Sequence, residues 1–138
     1  AGDGLDLTGT AFSTDLKSGG GLAISSTELT MDFTADNAWT GSQRATAVTD
    51  NDMSYDMNGG QNFISTPAGN ATLTFTNITN GQSGFLKLIN SGGHTISLHA
   101  NSKGDANLAT TVTAAGTYLL SYFSDGTDVW LTNSAIYA

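Results

Sequence analysis

Few groups in this chain could carry covalent or acid–base chemistry. There is one glutamate (Glu28), two histidines (His94 and His99), one arginine (Arg44), three lysines and no cysteine. No Gly-x-Ser-x-Gly elbow, His-Glu-x-x-His zinc motif, phosphate loop or dinucleotide fingerprint occurs. Cleavage of a glycosidic bond would require two carboxylates flanking a sugar. Asp125 and Asp128 have the right chemistry, but Asp125-Gly126 is the signature of a hairpin turn. The expectation is a protein that is not an enzyme and uses no cofactor.

Binding chemistry has more material. Asp50, Asp52 and Asp56 are the best-spaced oxygen donors for calcium. However, the segment has no glycine at its sixth position and no closing glutamate. Its alternation with Asn51, Met53, Tyr55 and Met57 predicts a strand with one wet, carboxylate-lined face, so no metal is expected there. His94 and His99 are five residues apart, on opposite faces of a strand, and cannot chelate together. Asn70-Ala71-Thr72 and Asn77-Ile78-Thr79 match the glycosylation sequon. Recognition through exposed rings would draw on Trp39, Tyr118, Tyr122, Trp130 and Tyr137. Trp39, in the polar run Ala35 to Gln43, is the ligand-binding candidate, whereas Tyr122 and Trp130 fall within alternating strands and read as packing residues.

Charge narrows the partners. Four Lys+Arg against twelve Asp+Glu leave −8 at neutral pH, and only 12% of residues are charged. The surface must instead be dressed by hydroxyls and amides. With four basic residues there is no basic patch to displace counterions from nucleic acid or to hold an anionic membrane surface, and no apolar run reaches the length of a membrane span.

The elements that must position these groups begin with a repeat. Gly4 to Leu16 aligns with Gly21 to Phe33 at a constant offset of 17. Leu5/Leu22, Leu7/Ile24, Phe12/Leu29 and Leu16/Phe33 coincide as apolar pairs. Gly4/Gly21, Thr10/Thr27 and Asp15/Asp32 coincide as well. Each copy reads as a short strand, a polar turn and a second short strand. About 33 residues with so few apolar side chains cannot close a core, because chains below about 40 residues usually need staples or partners. Leu5, Leu7, Phe12, Leu16, Leu22, Ile24, Leu29 and Phe33 must therefore be buried against the rest of the chain or, as expected here, at an interface between copies, most simply around a threefold axis and less naturally in a dimer.

Those residues resemble the shaft repeat of trimeric viral fibres, the triple β-spiral of adenovirus and reovirus attachment proteins and of some bacteriophage tail fibres. The resemblance covers about residues 1–33. Gly9 occupies the turn position that such shafts fill with Gly or Pro, and Ser26 replaces it in the second copy.

Beyond a connector at 34–49, residues 50–138 read as a train of short strands. Phe63-Ile64 precedes the single proline, Pro67. Thr72 to Thr76, Gly84 to Ile89, Thr95 to His99, Ala109 to Thr113, Thr117 to Phe123 and Val129 to Leu131 follow, separated by Asn80-Gly81, Gly92-Gly93 and Asp125-Gly126. Hairpin dipeptides without helical periodicity predict an antiparallel β-sandwich. Leu73, Phe75, Leu86, Leu88, Ile96, Leu98, Leu119 and Trp130 are the expected core.

The order Leu-Thr-Phe-Thr-Asn, Gly-Gln-x-Gly-x-Leu, Gly-Gly-x-Thr-Ile, Gly-Thr-Tyr-x-Leu-Ser-Tyr-Phe-x-Asp-Gly-Thr, Trp, over about residues 50–131, is similar to a β-rich C-terminal domain of phage tail-fibre proteins. What these resemblances imply is an all-β homotrimer at the virion surface, with a shaft followed by a head. It would touch other virion proteins and a host glycan or protein, and serve attachment. Two other classes remain open: a capsid decoration or cement protein, and a carbohydrate-binding or carbohydrate-active module.

Overall fold

A computed structural model describes residues 44–133, 136 and 137 in full, and residues 5–8, 11–14, 22–25 and 28–31 by their backbone. Among the described residues the protein is all-β apart from one short helix. Its contacts divide it into two compact units, 1–43 and 44–138.

In the first unit, β1 (Leu5–Thr8) pairs antiparallel with β2 (Ala11–Thr14), and β3 (Leu22–Ser25) with β4 (Glu28–Met31). The 17-residue offset holds for both the strands and their register: Leu7 faces Phe12 as Ile24 faces Leu29, and Leu5 faces Thr14 as Leu22 faces Met31. The sequence repeat is thus also a backbone repeat. The side chains expected at an interface lie outside the described residues, as do Leu16 and Phe33 entirely.

The second unit runs β5 (Val48–Thr49), β6 (Ser54–Asp56), β7 (Asn62–Ser65), β8 (Ala71–Thr76), β9 (Ser83–Asn90) and β10 (Ile96–Leu98), then β11 (Ser102–Lys103), α1 (Leu108–Thr113), β12 (Gly116–Ser124) and β13 (Val129–Asn133). Val48 and Thr49, at the end of the expected connector, form its first strand. Successive strands from β5 to β10 alternate between two sheets. β5, β7 and β9 are parallel neighbours in one, and β6, β8 and β10 in the other. This solenoid-like winding stacks like residues on like. Val48, Phe63, Leu86 and Leu120 form one row across the larger sheet, and Tyr55 lies beside Phe75 in the smaller.

The expected antiparallel arrangement occurs only where β12 folds back on β9 and β13 on β12. Gly81 and Gly93 take the positive φ of +80° and +62° that their turns require, but both turns are corners between sheets. A glycine turn sets where the chain reverses, not which sheet receives the next strand. Asp125-Gly126 does close a hairpin between neighbours, with Ser124 facing Val129 and Gly126 at φ +91°.

One core is shared by residues of both sheets. Tyr55, Phe63, Phe75 and Tyr122 interlock at its centre, with ring centroids 5.1 to 6.5 Å apart. Met53, Leu73, Leu86, Leu88, Ile96, Leu120 and Val129 surround them, all buried. Burying each such side chain contributes about 1.5–3 kcal/mol, offset by the entropy of ordering the chain.

Two expected core residues are outside. Leu119 is 38% and Trp130 53% exposed, while Tyr118, Leu120, Val129 and Leu131 point inward. A shift of one residue reverses every side chain of a strand. Leu98 is partly buried against the core. The segment expected as a strand at Ala109 to Thr113 is α1, because Leu108 and Val112, one turn apart, both bury fully against the unit. The helix covers the edge of β10. There, the Ile96 amide donates to Thr113 Oγ1 at 2.9 Å, and Asn90 Nδ2 donates to the carbonyls of His94, Val112 and Thr113.

Candidate functional site

The outward face of the larger sheet is built by the same alternation that makes the core. On β9, Leu86 and Leu88 point in, so Phe85 and Lys87 point out. On β12, Tyr118, Leu120 and Tyr122 point in, so Leu119 and Phe123 point out. On β13, Val129 and Leu131 send Trp130 and Thr132 outward. Register then sets Phe123 beside Trp130, and Phe85 and Thr132 on either side of Ser121. Phe85, Phe123 and Trp130 are each about half exposed.

Trp130 is exposed but not loose. Its indole N–H donates to Asp125 Oδ2 at 2.8 Å. Asp125 is fixed in turn, since its Oδ1 accepts the backbone amides of Thr127 at 2.9 Å and Asp128 at 2.8 Å. The Asp128 amide, the indole and the Thr127 amide hold the Asp125 carboxyl down at about 2, well below the ordinary aspartate value. The hairpin turn thereby orients the ring five residues after Asp125. Lys103, the Cα partner of Trp130 on β11, donates to the Ala100 carbonyl and lies 3.5 Å from Asp128.

Beside the indole is an open hollow of about 520 Å³, bounded by Trp130, Phe123, Lys103, Asp105, Ser121 and Thr132. Ser121 Oγ and Thr132 Oγ1 are hydrogen-bonded at 2.7 Å across β12 and β13. The hollow therefore combines flat apolar surface with a cation, a carboxylate and two hydroxyls. Such a lining suits a small amphipathic ligand.

The other sequence candidates are dispersed. Asp50 and Asp52 lie in the loop before β6, not on a strand. Asp50 Oδ1 accepts the amide of Asp52, Asp52 Oδ1 that of Ser54, and Asp56 Oδ1 that of Asn58. These carboxylates shape turns, the usual role of such residues. Asn77 Nδ2 also donates to Asp56 at 2.8 Å and lowers its pKa, whereas burial, then Asp52, raises that of Asp50. Among the described residues no three acidic or histidine side chains converge. Asn51 faces outward, accepting the Thr66 amide, while Met53, Tyr55 and Met57 are buried as the alternation requires. His94 and His99 flank β10, with His99 Nδ1 2.8 Å from Asn101 Oδ1.

Of the ring candidates, Tyr118 and Tyr122 are core residues whose hydroxyls donate to Ala114 and Gln61. Tyr137 is half exposed and bridges Thr117. Trp39 lies outside the described residues. Sequence reasoning missed Phe85 and Phe123, and missed Asp125 as the anchor of Trp130. One signal was there: a hairpin centred on Asp125-Gly126 with Ser124 facing Val129 necessarily sets Phe123 beside Trp130.

No family model, no curated protein and no solved structure matches the chain.

Proposed function

We propose that this is a non-enzymatic structural protein of a virion, a fibre that attaches the particle to its host through the outer face of the second unit. The observation that carries this reading is Trp130, half exposed yet locked by Asp125 at the rim of an open hollow. A folding chain normally buries its largest apolar ring, so a tryptophan held rigidly outward favours recognition. The second unit serves as the head, its two sheets forming a short sandwich around one core. The paired strands of residues 1–33 serve as shaft, and their apolar side chains hold a homotrimer together. Three shallow sites on one rigid trimer bind together far more tightly than one alone, because the second and third contacts form at high effective concentration.

Adsorption of virions carrying Trp130→Ala tests the reading. Intact particles that adsorb poorly are expected. Normal adsorption with fragile capsids would move the protein to shell cementing, and release of reducing ends from host polysaccharide would make it an enzyme.

A further inference from the structure

We infer that the hollow beside Trp130 is a binding site for a neutral pyranose, the terminal sugar of a surface glycan. The inference rests on the attachment reading and names its ligand class. Because the indole N–H is already spent on Asp125, the ring offers a ligand its π face and C–H edge alone. A hexopyranose has the complementary construction, one apolar face of axial C–H groups bordered by hydroxyls that each donate and accept. The hollow provides both halves. Trp130, with Phe123 beside it, is the platform. Asp105, whose Oδ1 already accepts the Asn107 amide, supplies a carboxylate acceptor, Lys103 an ammonium donor, and the Ser121–Thr132 pair hydroxyls able to do either.

Other ligands fit less well. An aliphatic peptide side chain would cover Asp105, Lys103 and the two hydroxyls without replacing their water, which is costly. An acidic sugar or a phosphate meets the wrong field: Lys103 is offset by Asp128 at 3.5 Å, Asp105 adds a further negative charge, and the whole chain carries −8. The platform is also set before binding, since the two amides on Asp125 Oδ1 fix the carboxylate that fixes the ring, and little rotamer entropy is lost on contact.

The chain has two tryptophans, so the indole N–H region of a nitrogen-15 spectrum of the full-length protein should hold two signals, assigned with Trp39→Phe. Glucose, galactose, mannose, N-acetylglucosamine and disaccharides of these are titrated in, with N-acetylneuraminic acid as the acidic comparison. At least one neutral sugar should shift the Trp130 signal saturably, and the acidic sugar should not. Trp130→Ala should abolish binding as followed by backbone amides around Ser121. Asp125→Asn retains the Oδ1 acceptor of the turn but loses the acceptor for the indole, and should weaken binding about tenfold. No saturable shift with any neutral sugar, or unchanged binding by Trp130→Ala, overturns the site. If Trp130→Ala particles fail to adsorb while no sugar binds, attachment stands with a protein receptor and the glycan site falls. If a sugar binds and adsorption is untouched, the glycan site stands and the attachment reading falls.

Discussion

The phenol of Tyr122 donates to the main-chain carbonyl of Gln61 at 2.6 Å, across 61 positions of sequence. The bond ties β12, which runs antiparallel, to the corner that leads into β7, part of the parallel winding. Gly84, the Cα partner of Tyr122, makes room for it. A methyl group there would lie 1.8 Å from the Gln61 oxygen and 2.8 Å from the Tyr122 hydroxyl. Tyr122→Phe should therefore cost about 1 kcal/mol, the net value of one hydrogen bond. Gly84→Ala should cost more, at least about 2 kcal/mol, because backbone must move. Urea midpoints of the two variants give the order, and equal midpoints would contradict this packing.

The phase of β12 can be tested at adjacent leucines. Leu120 is fully buried and Leu119 is 38% exposed. Leu120→Ala should lose about 2–5 kcal/mol, and Leu119→Ala less than about 1 kcal/mol. A reversed order in thermal melts would mean the strand is shifted by one residue.

Asn90 is fully buried, and its amide nitrogen donates to three carbonyls while its oxygen accepts the His94 amide. Asn90→Asp would set a carboxylate against those carbonyl oxygens and should destabilise the fold at neutral pH by about 3 kcal/mol or more. Such a carboxyl holds its proton to higher pH than in the unfolded chain. The penalty should shrink as pH falls through its raised folded value and grow as pH rises. Hydrogen exchange at α1 amides in this variant should quicken with pH beyond the intrinsic rate, and wild-type-like protection would refute the role.

Asp125 behaves in the opposite sense. Its folded value of about 2 lies below the unfolded value, so the stabilisation is complete above the ordinary aspartate range and is lost as pH falls through about 2. The Trp130 indole N–H signal should accordingly stay constant through mildly acidic pH and move only near that value. In Asp125→Asn this step should disappear. A shift centred near 4 would show that the turn does not hold the carboxylate.

For the first unit, Leu7→Asp and Ile24→Asp should each dissociate the proposed trimer, read by sedimentation of the full chain. Both residues occupy the same place in repeated strand pairs, so the two variants should act alike. Unchanged mass for both would remove the repeat as an assembly element.

The parts legible in the sequence are those fixed by local pairing. The offset of 17 reappears in strand starts and register because each pair joins segments only a few residues apart. Asp125-Gly126 could be read as a hairpin for the same reason. Parallel neighbours such as Phe63 and Leu86 are 23 positions apart with a strand of the other sheet between them, and no dipeptide encodes that. The run Tyr118-Leu119-Leu120 is apolar in either phase, so alternation alone cannot choose. In α1, Thr110, Thr111 and Thr113 favour a strand by propensity, and burial of Leu108 and Val112 overrides them. Trp130 reads as a packing residue from its place in an alternating strand. An acceptor five residues back satisfies its N–H at the surface, which is why the site escaped notice.

Within the second unit, β5 lies at one margin of the six-stranded sheet and β13 four strands away, next to the other margin. At about 4.8 Å per strand, that separation is roughly 19 Å. Tension drawn between these two strands runs along the ladder bonds instead of shearing past them, so rungs give way in sequence. The outermost, β5, has two residues and should peel first. In the attachment reading proposed above, a head loaded this way gives by degrees, from one margin inward.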